Sequence, residues 1–98
     1  MQVKSECLEY YKNDHRSVDP ELLEALSAAG VMNFSLFVRE DGLLVGYFEA
    51  EDPAESWKRV GATDASRTWR AKMKSYFDFG SSDPDDCEKW LEHIFLLE

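Results

Sequence analysis

Ninety-eight residues make one domain, because two would each fall below the usual domain size. Hydrophobic residues at 44% and aromatics at 13% exclude a disordered chain and leave material for one modest core. Eleven Lys and Arg against twenty Asp and Glu give a net charge of −9, which argues against nucleic-acid backbone and anionic membrane surfaces as partners.

No apolar run approaches the ~18 residues of a transmembrane helix, and Met1 to Glu9 lacks the basic-then-apolar pattern of a signal peptide. Cys7 and Cys87 form neither a metal-type spacing nor a disulfide framework. Two free thiols in a reducing, cytoplasmic setting is the expectation. No His, Asp and Glu spacing resembles a metal site, and no phosphate-cradling or nucleophile-elbow motif occurs, so no cofactor is expected.

Met1-Gln2-Val3 reads as the end of a strand. Glu6 to His15 reads as a helix with Cys7, Leu8 and Tyr11 on one face, and with Tyr11 and His15 adjacent at four-residue spacing. Asp19-Pro20 caps and opens a second helix striped by Leu22, Leu23 and Leu26. Gly30 suits its left-handed stop. Val31 to Val38 predicts a strand with Phe34, Leu36 and Val38 on one face. Glu40-Asp41-Gly42 turns the chain into a return strand, Leu43 to Ala50, with Leu43, Val45 and Tyr47 on one side.

Asp52-Pro53 repeats the cap-then-proline device and opens a short helix that Gly61 ends. Thr63-Asp64 caps a helix to Phe77 carrying Trp69, Met73 and Phe77 at four-residue spacing. Gly80 to Asp86 reads as a surface turn. Apolar Trp90 to Leu97 predicts a last strand. Strand, helix, strand, strand, helix, strand is the split βαβ, ferredoxin-like order of an α+β fold. Its antiparallel sheet carries helices on one face. No segment is left to cover the other face, and a homodimer packed sheet to sheet covers it most simply.

Two constellations carry chemistry. Tyr11-x-x-x-His15 sets a phenol beside an imidazole, a residue type that passes protons in either direction near neutral pH. Trp69-Arg70 offers a flat apolar ring with an N–H edge for a sugar's C–H face, and a guanidinium for its hydroxyls. Taken alone, the first pair reads sooner as a partly exposed helix histidine beside a packed tyrosine, and the second as a core tryptophan beside a solvated arginine. Glu49 shares the face of Leu43, Val45 and Tyr47; were that face inward, its carboxylate would lie near the imidazole. Trp57, Trp90 and His93 read as structural.

At this point the chain resembles the L-rhamnose mutarotase family. The resemblance rests on Tyr11-Lys12-Asn13-Asp14-His15, Pro20 to Leu26, Gly30 to Phe37, Tyr47-Phe48-Glu49, Thr63-Asp64, Trp69 to Met73 and Ile94-Phe95-Leu96. It spans nearly the whole chain in order. It implies a dimeric α/β barrel built from paired ferredoxin-like sheets, and a cofactor-free interconversion of the α and β anomers of L-rhamnose. The family's proton-donating histidine falls on His15, and its sugar-contacting residues fall on Tyr11, Phe34, Trp69 and Arg70.

This sequence departs from the family's pattern at three places. Phe34 lacks a phenol, Arg70 stands where an indole is usual, and Asp19 stands where an aromatic precedes the proline. The segment Met1-Gln2-Val3 is shorter than the family's first strand, so a chain that starts late is an expectation. The resemblance implies ring opening to the aldehyde with His15 as general acid, its partner base being Tyr11, a water or Glu49. Two other functions fit the same fold: a monooxygenase or haem-degrading enzyme of the dimeric ferredoxin-like class, and a homologue that binds sugar or protein without catalysis.

Overall fold

The structure is a computed structural model that describes residues 1–80 and 88–98. A 3-10 turn, Ser5–Cys7, leads into helix α1 (Leu8–Asp14), so the predicted helix over Glu6 to His15 is present with a tightened first turn. Helix α2 (Pro20–Ala28) begins where the cap predicts. Asp19 accepts from the Glu21 amide at 3.0 Å, and Pro20 opens the first turn, where its missing N–H costs nothing. Gly30, at φ +84°, stops it in the left-handed region that lacks a Cβ penalty only for glycine. Of the predicted stripe, Leu22 is buried and Leu26 packs on the core, but Leu23 is exposed, because the helix buries one narrow line against its neighbours.

Strands β1 (Met32–Val38) and β2 (Leu44–Glu49) pair antiparallel. The turn between them closes through Gly42 at φ +90°, where a Cβ would meet the Val3 carbonyl at 2.1 Å, so glycine is required there. Helices α3 (Pro53–Gly61) and α4 (Asp64–Met73) are capped by the side chains of Asp52 and Thr63, which accept from the amides of Glu55 and Ser66. Helices α2, α3 and α4 pack on one another. Leu22, Ala29, Val31 and Val60 form one buried cluster, and Val3, Tyr11 and Met73 a second. Trp69 packs against both and joins them.

Residues opposite one another in the ladder share a face. Leu36 opposite Gly46 and Val38 opposite Leu44 lie on the helix side, with Phe34 and Phe48 packed on the first cluster. Ser35 with Tyr47 and Phe37 with Val45 lie on the other. The predicted face of Phe34, Leu36 and Val38 is therefore the inner one. Leu43, Val45 and Tyr47 point away from the helices: the hairpin pairs Leu44 with Val38, and the period of two sends the odd-numbered residues outward. Glu49 goes outward with them, opposite Met32.

The N-terminal segment is more than a strand end. Val3 N donates to Gly42 O and Leu44 N to Met1 O, each at 2.8 Å. On its other side Lys4 N donates to Tyr76 O and Asp78 N to Gln2 O, also at 2.8 Å. Isolated antiparallel bridges, Gln2 with Leu43 and Val3 with Phe77, mark the same alignment. The spatial order is thus residues 76–78, residues 1–4, β2, β1, compatible with a ferredoxin-like sheet carrying its helices on one face.

Two predicted elements differ. Helix α4 ends at Met73 in a 3-10 turn, Lys74–Tyr76, because Phe77 is extended and pairs with Val3 instead of completing a helical turn. Trp90 to Leu97 is not a strand. The edge beside residues 1–4 is already occupied by Tyr76 to Asp78, and among the described residues this apolar segment has no ladder partner and lies exposed. The turn read over 80–86 lies, beyond Gly80, outside the described residues.

Candidate active site

Helix α1 delivers Tyr11 to the core and His15 to its C-terminal cap, four residues on. The two rings stack at a tilt, 4.3 Å between centroids. Tyr11 is 5% exposed, with Tyr76 and Phe77 edge-on to its ring at 6.4 and 5.5 Å. Burial pushes its phenol up to about 12, so at neutral pH Tyr11 is a proton-bearing hydroxyl and not a phenolate. Next to His15, the Asp14 carboxylate accepts from the Tyr76 hydroxyl at 2.8 Å, which pushes that phenol up as well.

The imidazole of His15 is fixed from two sides. Its Nδ1 lies 2.8 Å from the Tyr11 carbonyl oxygen. A carbonyl only accepts, so Nδ1 carries hydrogen and donates, which leaves Nε2 as the nitrogen that can gain or lose a proton. From α4, Trp69 sets its indole perpendicular to the imidazole at 5.3 Å. His15, Tyr11 and Lys12 form one wall of an open cleft of about 190 Å³ whose other wall is the stretch Leu36, Phe37 and Val38 of β1 with Leu44 of β2. Gly46 lies on the inner sheet face; a Cβ there would stand 3.2 Å from Leu36 Cδ2.

Five residues carried the sequence reading of the site. Tyr11, His15 and Trp69 come together. Phe34 is placed in a second aromatic group, 6.0 Å from Phe48 and 5.7 Å from Trp57, whose rings stack at 5.1 Å. Arg70 is exposed and pairs with Glu88 at 2.9 Å, while the other oxygen of Glu88 accepts from Trp57 Nε1 at 2.7 Å. Lys72 sits over the Trp69 ring, 5.2 Å from its centroid, beside a second open cleft between Trp69, Asp19 and Thr68.

Glu49 is removed from the imidazole altogether: it is exposed on the outer face and accepts from Asn33 Nδ2 at 2.8 Å. The sheet wall of the cleft was not singled out in the sequence. Its signal is Gly46, a glycine on the inner face of a strand, whose missing side chain makes room for that of Leu36. Among the described residues no group of three or more His, Cys, Asp or Glu side chains gathers as for a metal ion, and no helix is long and apolar enough to cross a membrane.

The chain that carries these residues is matched along nearly its whole length by known proteins. The family model described as L-rhamnose mutarotase matches residues 1–97. The L-rhamnose mutarotase of Mannheimia succiniciproducens is 37% identical over 101 aligned positions, covering 100% of this chain and 93% of the relative. Those of Bacillus subtilis and Opitutus terrae are 36% and 35% identical with the same coverage. A family match from residue 1 to residue 97, with relatives above 30% identity along the whole chain, decides the matter: this chain belongs to the L-rhamnose mutarotase family of isomerases.

Proposed function

We propose that the protein interconverts the α and β anomers of L-rhamnose, with His15 as the general acid and base. The observation that carries this is the Nδ1–H bond of His15 to the Tyr11 carbonyl, which dedicates Nε2 to proton exchange at the edge of the cleft. Protonated Nε2 delivers its proton to the ring oxygen while a water from the open cleft takes the proton of the anomeric hydroxyl. The C1–O5 bond breaks, the aldehyde forms, and rotation about C1–C2 presents its other face. Reclosure runs the same transfers backward: the ring hydroxyl attacks C1, its proton returns to Nε2, and the carbonyl oxygen regains a proton.

Of the candidate partner bases, Glu49 lies on the opposite face of the sheet and Tyr11 holds its proton, so water remains. Tyr11 donates its hydroxyl to a sugar oxygen, and Trp69 supports the imidazole and the sugar's C–H face. Phe34, held among Phe48 and Trp57, and Arg70, paired with Glu88, stand outside this cleft and are assigned no contact with the sugar. Ring opening already proceeds in water, so the ~10²–10⁴-fold of general acid–base catalysis suffices.

The functional unit is a homodimer packed sheet to sheet as an α/β barrel. Met32, Phe37, Val45 and Tyr47 on the outer sheet face are 37 to 61% exposed in one chain, an apolar patch that a second copy covers. NMR exchange spectroscopy on the anomeric signals of L-rhamnose tests the activity: faster exchange with the folded protein is expected, and the uncatalysed rate would refute it. Sedimentation equilibrium tests the dimer, and a monomer at micromolar concentration would refute that part.

A further inference from the structure

Helix α1 is seven residues long, and His15 stands just past its end. A helix this short secures its last turn poorly, because ends fray and few propagated bonds hold it. The backbone bonds there are long: the His15 amide lies 3.3 Å from the Tyr11 carbonyl oxygen, and the Ser17 amide 3.4 Å from that of Asp14. Arg16 and Ser17 are exposed, so packing fixes nothing between His15 and Val18, the next residue against the core. Among the described residues, one side-chain hydrogen bond ties residues 12–18 to a distant element: the Tyr76 hydroxyl donates to Asp14 Oδ2 at 2.8 Å, across 62 positions of sequence. Tyr76 is itself held twice. Its carbonyl accepts from Lys4 N at 2.8 Å, and its ring stands edge-on to Tyr11 at 6.4 Å. Tyr76 thus touches both the residue whose carbonyl receives His15 Nδ1 and the residue that precedes His15.

We infer that Tyr76 is a positioning residue for proton transfer by His15: its bond to Asp14 holds the end of α1 so that the imidazole keeps Nδ1 on the Tyr11 carbonyl and Nε2 free. The Nδ1 bond requires His15 to stay within reach of a carbonyl four residues back, and a frayed last turn takes it out of reach. The neutral ring then lacks the acceptor that fixes its tautomer, and its hydrogen divides between the two nitrogens. A ring with its hydrogen on Nε2 has no base there. The tie acts through hydrogen bonding and not through the charge of Asp14, since an amide oxygen would accept from the same hydroxyl. A 1 Å misplacement of a reacting group costs up to about 10²-fold, and a loosened turn that still visits the right geometry is expected to cost roughly 10-fold in kcat.

This inference rests on the proposed mutarotase activity, and two readouts separate them. Tyr76→Phe keeps the ring and deletes the donor. Asp14→Ala deletes the acceptor, and Asp14→Asn keeps an acceptor without the charge. Circular dichroism establishes which variants are folded, and the two Asp14 variants suffice if Tyr76→Phe is not. The first readout is anomer exchange of L-rhamnose by NMR. The second is the pair of imidazole nitrogen chemical shifts, read about two pH units above the ordinary histidine value of ~6.5, with His93→Gln leaving His15 as the single histidine. The parent protein is expected to hold one tautomer, with hydrogen on Nδ1. Tyr76→Phe and Asp14→Ala are expected to show a mixture and to lose roughly 10-fold in kcat, with KM within about 2-fold. Asp14→Asn should restore both readouts. A folded Tyr76→Phe protein with the parent kcat or the parent tautomer would overturn the role of Tyr76 while leaving the activity standing, as would Asp14→Asn as impaired as Asp14→Ala. No acceleration by the parent protein would overturn the activity, and the catalytic role of Tyr76 with it.

Discussion

Asn33 holds φ +50° and is the one non-glycine among the described residues with positive φ. It sits in the irregularity where β1 supplies two residues, Asn33 and Phe34, against Phe48 of β2, between the Met32–Glu49 and Ser35–Tyr47 pairs. This bulge keeps Phe34 on the inner face beside Phe48 and Trp57. Replacing Asn33 with alanine forces a Cβ-bearing residue into the left-handed region at about 1–2 kcal/mol, since alanine lacks the short polar side chain that eases it. Asn33→Gly removes the same bond to Glu49 but tolerates the conformation, at an entropic cost of roughly 0.5–1 kcal/mol. The bond to Glu49 is lost in both variants and cancels between them. The glycine variant is therefore expected to be the more stable, by about 1 kcal/mol, which for a domain of this size is ~4–8 °C in Tm. Thermal denaturation of the two variants side by side measures it. An alanine variant as stable as the glycine one, or more so, would refute a backbone-set bulge.

Tyr11→Phe keeps the ring contacts and deletes the hydroxyl, so the fold should persist while kcat/KM for L-rhamnose falls about 2- to 13-fold, the worth of one neutral hydrogen bond. The same variant tests burial of the phenol. Because Tyr11 is raised from 10.0 to about 12 on folding, its contribution is complete below pH ~10 and is lost as pH rises towards about 12. Wild type should lose stability over that window in denaturant titrations, and Tyr11→Phe should lose less. At the acid end, the Arg39 guanidinium hydrogen-bonded to Asp41 holds that carboxyl at about 2, so this pair's contribution is present above pH ~4 and fades as pH falls towards 2. Asp41→Asn should remove that part of the acid dependence. Gly46→Ala places a Cβ 3.2 Å from Leu36 Cδ2, so that side chain, which lines the cleft, must shift; KM for L-rhamnose should change, and an unchanged KM would contradict the position given to the cleft.

Local chemistry made much of this fold legible. Asp19-Pro20, Asp52-Pro53 and Thr63 each cap the helix they predict, because caps act within four residues and need no tertiary partner. Gly30 and Gly42 mark positive-φ stops for the same reason. The Tyr11 and His15 pair was legible from four-residue spacing, and Trp69 joins it through the packing of the two core clusters.

The misread parts depend on partners distant in sequence. Phe77 continues the four-residue spacing of Trp69 and Met73, yet its backbone is claimed by Val3 at the other end of the chain. Which face of β2 turns inward is set by the pairing of Leu44 with Val38 and by the seat of Leu44 against the α1 cluster, and alternation alone cannot choose between two apolar faces. That choice placed Glu49 outside and Leu44 at the cleft. Trp90 to Leu97 has strand-like composition, but composition supplies no ladder partner.

The most direct measurement compares anomer exchange of L-rhamnose with wild type and with His15→Gln, which preserves side-chain hydrogen bonding without a titrating imidazole. Circular dichroism and thermal denaturation establish that the variant is folded. A fall of ~10²-fold or more, towards the uncatalysed rate, is expected if His15 Nε2 moves the proton. Exchange at the wild-type rate by the folded variant would remove His15 from the mechanism, and with it the role assigned to its bond with the Tyr11 carbonyl.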